Sequence, residues 1–303
     1  MTTATVATAA VMAERTEVPG RGRRRGLKKL LGYAVLVAVA FVYLYPFVIQ
    51  IATSFKSDAE ASNNALGLIP NPLNMSAWRR TFGLTEDSSV PILRWLMNSV
   101  LVTVVVTASR VFLDSLAGYA LSRLKFRGRG FLFATVLAVI SVPGVALLVP
   151  KFLIVKSLGI YDSYAGMIMP LLIDAAGVFI MKQFFDSVSV SIEEAARMDG
   201  AGVFRTFWSV VLPMARPALI TLTILSFQGA WNEFSHFLVT TESTQYKTLV
   251  TGLASLSSGQ LGAGSQYPFK MAAAILTTIP VAVLFFVFQR HFVRGANEGG
   301  VKG

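Results

Sequence analysis

The 303-residue sequence contains no cysteine, only two histidines and few charged side chains. The absence of cysteine excludes a disulfide scaffold and a cysteine-ligated metal site. Charged residues make up 14% of the chain, against roughly 25% in ordinary soluble domains. Together with a hydrophobic fraction of 54%, this shortage of charge places the chain among membrane proteins.

The sequence also lacks the motifs of common ATP-binding and metal-dependent enzymes. No GxxxxGK[ST] phosphate-binding loop occurs. No HExxH pair occurs, and the two histidines, His236 and His291, are far apart in the sequence. We therefore expect no catalytic residue, no metal site and no cofactor bound by this chain.

Positive charge is in excess, with 27 Lys and Arg residues against 16 Asp and Glu. In a soluble domain this balance would suggest nucleic acid, but Lys and Arg also collect in the cytoplasmic loops of membrane proteins. Most of these residues lie in an N-terminal segment, two internal loops and the C-terminal tail, between long apolar runs. The pattern favours membrane insertion, and we expect no nucleic-acid partner.

Six apolar segments predict six transmembrane helices, because each approaches the ~20 residues that span a bilayer. Their bounds are about 33–51, 94–121, 131–155, 164–184, 217–239 and 268–289. The positive-inside rule places the loops 122–130 and 182–216 and both chain termini in the cytoplasm. The expected fold is an all-α membrane protein with a disordered basic N-terminus, 1–30, and one membrane domain, 31–303. A short helix is expected in the outer loop near Ser76–Phe82.

Prolines and ionisable residues interrupt several of these segments. Pro143 and Pro150 predict a bent or broken third span. Arg110 and Asp114 lie four residues apart on one face of the second span, where they can form a structural ion pair or line a pathway. Asp174 lies in the fourth span without a charged neighbour in its own helical turn, which makes it a pathway candidate.

The fifth span carries a group of polar and aromatic residues. Gln228, Asn232 and Ser235 are predicted to share one helical face. Amide, carboxylate and aromatic groups together suit a sugar, since hydroxyls form hydrogen bonds while the C–H faces stack. The alternative is a polar seam packed against a partner protein. The candidate pathway residues are Gln228, Trp231, Asn232, Glu233 and Asp174.

A polar segment, Ser191–Pro213, separates the fourth and fifth spans. Ser191-Ile-Glu-Glu194 has the capping-box pattern, which predicts that a helix starts at Ser191. Small residues such as Ala195 allow close approach of another surface, and Asp199-Gly200 predicts the helix end. The acidic first turn suits anionic lipid poorly, so a protein groove is favoured over the membrane surface. The segment is predicted to be a docking element.

The spacing within this segment resembles the EAA loop of ABC-importer permeases. Glu194-Ala195-Ala196 is followed after three residues by Gly200 and, further on, by Val210 and Leu212-Pro213. Val210 replaces the commoner isoleucine of the pattern. GYALSRLKFRG before the third span, WNEF in the fifth and the terminal GGVKG are similar to the carbohydrate-uptake, maltose-permease-like subgroup. The resemblance covers residues 33–303.

The resemblance implies a transport subunit of the bacterial cytoplasmic membrane, surrounded by lipid. Its implied partners are a homologous second permease, two ATPase subunits that hold ATP and Mg²⁺, and an extracytoplasmic solute-binding protein. It also implies a core at about 94–290, a coupling loop at 185–216 and a tail, 299–303, that touches the ATPases. The residues implied in ATPase docking are Glu193, Glu194, Ala195, Ala196, Asp199, Gly200, Leu212 and Pro213.

The solute implied by the resemblance is a sugar or oligosaccharide. Importers of glycerol phosphates and phosphodiesters in the same subgroup remain an alternative. A different class is an ion-coupled secondary transporter that uses the ionisable residues of the spans, but the absence of a visible repeat and the docking helix argue against it. The uncharged loop 253–266 is a linker by composition, and the resemblance implies that it enters the binding protein's cleft.

Overall fold

The structure of the chain is a computed structural model that describes residues 21–85, 90–257 and 266–299. All regular structure in these ranges is helical, which confirms the all-α prediction. The chain divides into two units, residues 1–49 and residues 50–303.

The described part of the first unit is a single apolar helix. Helix α1 spans Arg21–Ser54, and most of it belongs to this unit. Large apolar side chains are exposed along it, among them Leu36, Phe41 and Tyr43. A helix that is hydrophobic all round requires an apolar environment, which fits a membrane span. The structure makes residues 21–30 helical, whereas the sequence indicated disorder over 1–30; residues 1–20 lie outside the described part.

The second unit contains the remaining helices. The segment between the first two predicted spans holds α2 and α3, and α3 confirms the short helix expected there. The elements of this unit are α2, Asp58–Asn63; α3, Ser76–Thr81; α4, Ile92–Arg123; α5, Arg129–Ser141; a 3-10 turn, Gly144–Leu147; α6, Leu148–Ser157; α7, Tyr164–Ile168; a 3-10 turn, Met169–Leu171; α8, Ala175–Ser187; α9, Val190–Met198; α10, Val203–Thr206; a π-helical turn, Phe207–Val211; α11, Leu212–Met214; α12, Arg216–Trp231; α13, Ser235–Thr240; a 3-10 turn, Thr244–Tyr246; α14, Leu249–Ser257; and α15, Tyr267–Gly299.

Length and hydropathy give four candidate membrane spans in the described residues, or up to six if each of two bent helix pairs is one span. Four are single stretches: Lys28–Ser54, Ile92–Arg123, Tyr164–Ser187 and Tyr267–Gln289. Two more are helix pairs bent by 104° between α5 and α6 and by 82° between α11 and α12. The number agrees with the six predicted spans if each bent pair counts as one. The bounds of the fifth differ, since the second pair consists of Val203–Met214 and Arg216–Trp231 whereas the prediction is 217–239. The cytoplasmic placement of the termini stays a prediction from charge.

Proline accounts for the break in the third span but only at one of the two predicted positions. Helix α5 ends at Ser141, and Pro143 precedes the next 3-10 turn. Proline has no N–H to continue the helical hydrogen bonds, so a break follows. Pro150 lies in the first turn of α6, where a missing N–H is tolerated, and the helix continues through it.

Helix α4 is the axis of the second unit, because three buried apolar clusters lie along it. At its N-terminal end Trp95 packs with residues of α14 and α15. In its middle Val106 packs with residues of α7, α12 and α13. Near its C-terminal end Tyr119 packs with α8, the π-helical turn and α12.

Glycine allows α4 and α8 to approach closely. A Cβ atom added at Gly118 of α4 would lie 2.7 Å from Met181 Cβ and 2.8 Å from the backbone nitrogen of Lys182. A Cβ atom at Gly177 of α8 would lie 2.1 Å from Asp114 Oδ2. Small residues at such contacts are the usual means by which membrane helices pack tightly.

Replacing Gly118 by alanine should therefore loosen the α4–α8 contact. We expect Gly118→Ala to destabilise the fold by about 1–3 kcal/mol, the usual effect of overpacking, although alanine is the better helix former. The melting temperature of the purified permease in detergent measures the effect. Gly130→Ala is the matched control, since no atom lies within 4 Å of an added Cβ in the first turn of α5. Equal melting temperatures for the two variants would contradict the close contact.

Candidate functional site

The predicted docking element folds as a short helix followed by a glycine turn. Helix α9 begins at Val190, earlier than the predicted start at Ser191. Neither Ser189 nor Ser191 caps its N-terminus; the two hydroxyl oxygens instead lie 2.8 Å apart in a mutual hydrogen bond. The capping-box prediction is wrong because the chain leaves α8 through only two residues, 188 and 189, and is helical again before Ser191 is reached.

The predicted end of this helix is confirmed. Gly200 has a φ of 81°, in the left-handed region that favours glycine. Its N–H donates to the Arg197 carbonyl oxygen at 3.0 Å, and the Ala201 N–H donates to the Ala196 carbonyl oxygen at 2.9 Å. These two bonds satisfy carbonyls at the end of the helix, as glycine-terminated helices commonly do.

One face of α9 and the following turn are exposed. We call this face the docking surface; it consists of Glu194, Ala195, Met198, Asp199 and Gly200. The Met198 side chain is 89% exposed, and sequence reasoning did not single it out. Its spacing could have predicted this exposure, because Met198 follows Glu194 by four residues and therefore lies on the same helical face.

Glu193 does not belong to the docking surface, because its side chain is only 2% exposed. Its Oε1 lies 2.9 Å from Arg123 Nε in an ion pair that lacks the alignment of a hydrogen bond. Tyr119 donates a hydrogen bond to Glu193 Oε2 at 3.4 Å, and Arg197 Nη2 approaches the same oxygen at 3.8 Å. The carboxylate that the sequence assigned to ATPase docking therefore points into the protein, toward the end of α4.

Arg123 joins three elements at this point. Besides the ion pair with Glu193 of α9, its Nη2 donates to the carbonyl oxygen of Phe185, at 2.5 Å, and to that of Val188. These carbonyls lie at the C-terminal end of α8, where the helix leaves backbone acceptors free. From the sequence, Arg123 is predicted only to belong to the basic loop 122–130. Its position at the end of the second span, at the start of the basic loop 122–130, was the available signal.

The second half of the docking element contains a π-helical turn. Phe204 and Trp208 are exposed and stack on each other, with ring centroids 6.4 Å apart and an interplanar angle of 8°. Phe207 is buried against Tyr119 of α4. Pro213 is exposed and Leu212 is partly buried, so only the proline is fully available to a partner. Single π-helical turns of this kind often occur at functional sites.

A polar cavity of about 380 Å³ lies between α4, the bent third span and the start of α8. Arg110, Lys151 and Asp174 are its charged lining residues. Lys151 was not among the predicted pathway residues, although the rest of its span is apolar. A lone ammonium within an apolar span is itself a signal of function.

Arg110 and Asp114 do not form the ion pair that was one of the two predictions for them. Arg110 Nε donates to the Leu171 carbonyl oxygen at 2.8 Å. Asp114 Oδ1 accepts the backbone N–H of Asp174 at 3.0 Å. Both residues thus bind the backbone of the break before α8, and they join two helices through backbone groups. The Asp174 carboxylate accepts the Gly177 N–H at 3.2 Å and caps α8.

The polar group of the fifth span is arranged differently from the prediction. Helix α12 ends at Trp231, so Gln228, Asn232 and Ser235 do not lie on one continuous helix. Asn232 caps the helix by donating from its backbone and its Nδ2 to the Gln228 carbonyl oxygen. Glu233 Oε1 accepts the His236 N–H at 2.9 Å at the start of α13.

Trp231 is buried and does not present its ring to a solute. Its side chain is 2% exposed, stacks on Phe227 and donates to the Thr277 carbonyl oxygen at 3.0 Å. Gln228 and Asn232 remain exposed, and Glu233 is partly buried. Of the predicted pathway residues, Asp174 lines the polar cavity.

The predicted loop 253–266 is only partly within the described structure. Residues 253–257 form the end of α14 and are helical, so they do not belong to a linker. Residues 258–265 lie outside the described residues, as do residues 300–303 of the C-terminal tail.

Comparison with known proteins identifies the family. The model of the family "binding-protein-dependent transport system inner membrane component" matches residues 114–298. The chain is 31% identical over 265 residues to the arabinooligosaccharides transport system permease protein AraQ of Halalkalibacterium halodurans, covering 88% of this chain and 93% of that protein. It is 31% identical over 276 residues to the sn-glycerol-3-phosphate transport system permease protein UgpE of Yersinia pestis, covering 90% of this chain and 96% of that protein.

A solved structure shares the fold. It is a chain of a bacterial ABC transporter involved in the import of the acidic polysaccharide alginate, with a TM-score of 0.77 and 26% sequence identity, covering 89% of this chain and 98% of that chain. These matches confirm the resemblance found in the sequence and the transport role, in which the chain is not an enzyme. The chain belongs to the family of binding-protein-dependent transport system inner membrane components, the permease subunits of bacterial ABC importers.

Proposed function

We propose that the chain is one half of a heterodimeric permease that imports a carbohydrate at the expense of ATP. The names of the relatives support a sugar or oligosaccharide as the solute, with a glycerol phosphate as the second candidate favoured by the likeness to UgpE. The remaining partners are two ATPase subunits, which hold ATP and Mg²⁺, and an extracytoplasmic solute-binding protein.

The docking surface of α9 is proposed to bind an ATPase subunit. The observation that carries this proposal is the division of α9 into two faces. Glu194, Ala195, Asp199 and Gly200 are exposed, whereas the carboxylate of Glu193 is buried and paired. A short helix that is free on one side and tied to the bundle on the other can pass a displacement from a partner to the membrane helices. Ala196, Leu212 and Pro213 complete the proposed contact.

Arg123 is proposed to carry this displacement into the bundle. It belongs to α4, pairs with Glu193 of α9 and binds backbone carbonyls at the end of α8. Movement of α9 must therefore move the C-terminal ends of both helices or break a buried ion pair. Breaking such a pair by losing one partner typically costs about 3–5 kcal/mol, so the linkage favours joint movement.

The proposed function requires transport to depend on ATP hydrolysis. The chain is reconstituted into proteoliposomes with its second permease, ATPases and binding protein, and uptake of the binding protein's ligand is measured. We expect uptake to fall to background when the nucleotide sites of the ATPases are disabled. Uptake that persists without hydrolysis would contradict the proposal and favour an ion-coupled transporter.

The docking role of the glycine turn predicts a specific pair of phenotypes. Gly200→Trp places a large side chain on the exposed surface and forces it into a positive φ, so we expect loss of ATPase co-purification with normal membrane insertion. Gly200→Asn should retain association, because asparagine tolerates this backbone region and is small.

Gly130→Trp serves as the control for bulk alone, since Gly130 is also exposed and no atom lies within 4 Å of an added Cβ. This variant should leave association with the ATPases unchanged. If Gly200→Trp co-purifies with the ATPases as well as the native chain does, the turn is not part of the docking surface.

The buried ion pair predicts an uncoupled variant. Glu193→Ala leaves the Arg123 guanidinium without its carboxylate while the docking surface keeps its residues, so we expect loss of solute-stimulated ATP hydrolysis and a lower melting temperature. The matched control is Arg197→Gln, which removes an exposed cation 3.8 Å from the same carboxylate and should change stability by at most about 1 kcal/mol. Normal coupling in Glu193→Ala would show that the displacement takes another route.

A further inference from the structure

The polar cavity beside α4 holds two cations that face the same space. Arg110 enters it from α4 and Lys151 from α6, in a cavity of about 380 Å³. The rest of the lining is mostly apolar and comes from the break in the third span and from the start of α8. Cations within a membrane bundle are unfavourable unless a counter-charge or a wet path accompanies them.

The neighbouring carboxylates are engaged with backbone N–H groups. Asp174 lines the cavity but accepts the Gly177 N–H, and it sits at the N-terminus of α8, where the helix dipole favours negative charge. Asp114 Oδ1 accepts the Asp174 N–H, and Oδ2 is buried against Gly177, outside the cavity lining. The start of α8 therefore stabilises the Asp174 carboxylate, whereas Asp114 Oδ2 has no hydrogen-bond partner among the described residues and Asp114 also interacts electrostatically with Arg110.

The cations, in contrast, keep donors available. Arg110 donates from Nε to the Leu171 carbonyl oxygen, so both terminal nitrogens of its guanidinium remain available as donors. Its Nη1 would lie only 3.8 Å from a Cβ added at Gly229 of α12, so the guanidinium extends toward the exposed end of that helix. Among the described residues no carboxylate forms an ion pair with Arg110 or with Lys151. A guanidinium and an ammonium facing one cavity are the groups that bind carboxylates and phosphates.

We propose that Arg110 and Lys151 form a binding site for an oxyanion of the transported solute, either the carboxylate of a uronic acid or the phosphate of an ester. This inference rests on the proposed function, and it narrows the solute to one that carries a negative charge. Arg110 acts as the fixed group, because its Nε is already bound to the backbone, and Lys151 closes on the oxyanion from the bent span.

The absence of cysteine from the chain permits a direct test in the assembled importer. Ala176→Cys puts a single thiol of this chain on the cavity wall, in the first turn of α8. The rates of its modification by an anionic sulfonatoethyl and a cationic trimethylammonioethyl methanethiosulfonate are compared and normalised to those of 2-mercaptoethanol. We expect the anionic reagent to be favoured by roughly tenfold, since a unit charge acts strongly at such short range.

Three further variants test which groups produce this preference. Lys151→Gln should lower the anion preference by roughly tenfold. Asp174→Asn, which keeps an acceptor for the Gly177 N–H, should raise it. Lys156→Gln is the matched control on the same helix, because the Lys156 ammonium lies over the rings of Phe152 and Tyr161 outside the cavity lining. It should leave the preference unchanged.

Protection of the thiol separates the two sources of the oxyanion. Trigalacturonate, glycerol 3-phosphate and the neutral arabinotriose are added separately before modification. Slower modification with trigalacturonate indicates a uronate site, and slower modification with glycerol 3-phosphate indicates a phosphate-ester site. Equal protection by arabinotriose, or no protection by either anion, would overturn the proposal.

Two other results would also overturn it. One is a rate ratio that does not respond to Lys151→Gln. The other is a thiol that resists both reagents, as expected if a partner chain fills the cavity. ATP-dependent uptake in the same proteoliposomes is scored separately. Loss of ATP dependence with an intact anion preference refutes the importer function alone, whereas normal ATP-dependent uptake without the preference refutes the oxyanion site alone.

Discussion

A helix that breaks inside an apolar bundle leaves backbone N–H and carbonyl groups that must find partners, and this requirement organises the second unit. Helix α4 supplies those partners. Arg110 donates to the carbonyl of Leu171 and Asp114 accepts the N–H of Asp174, on either side of the break before α8. Arg123 binds carbonyls at the other end of α8. An unpaired buried backbone group costs several kcal/mol in hydrocarbon, so these polar side chains are structural necessities as well as candidate ligands.

The same helix links the two regions to which function is assigned. Arg110, at the polar cavity, and Arg123, at the anchor of the docking surface, are thirteen residues apart on α4, which corresponds to about 20 Å of continuous helix. The glycine contacts at Gly118 and Gly177 keep α8 close to α4 between these points. On the proposed coupling route, a displacement at one end would reach the other through two tightly packed helices, with no loop of the described chain between them.

Sequence reasoning predicted the features that depend on local chemistry. Long apolar runs identified the spans, Pro143 identified the broken helix, and Asp199-Gly200 identified the end of α9. Features that depend on a contact between residues far apart in the sequence could not be predicted in this way. Glu193 and Glu194 are adjacent acids in the sequence, and only the position of Arg123 decides which is buried.

The interruption of the fifth span was missed for the same reason. No proline or glycine follows Trp231 directly, so helical periodicity was extended through Asn232 to Ser235. The bond from Trp231 to Thr277 and the capping bonds of Asn232 and Glu233 come from tertiary packing and from side-chain competition with the helix. The site was thus predicted at the level of its segments, while the orientation of individual side chains was not.

The π-helical turn at Phe207–Val211 affects which amino-acid substitutions the docking element can accept without disturbing α12. Its wider turn takes up one residue more than an α-helical turn, which rotates the helix before the turn by about 100° relative to the helix after it. Together with the 82° bend after α11, this rotation separates the helical register that exposes Phe204 and Trp208 from the register that buries Ala218 and Leu222 in α12. Under the proposed docking role, substitutions that adapt the exposed residues of the docking element to a different ATPase can accumulate without repacking the helices of the membrane.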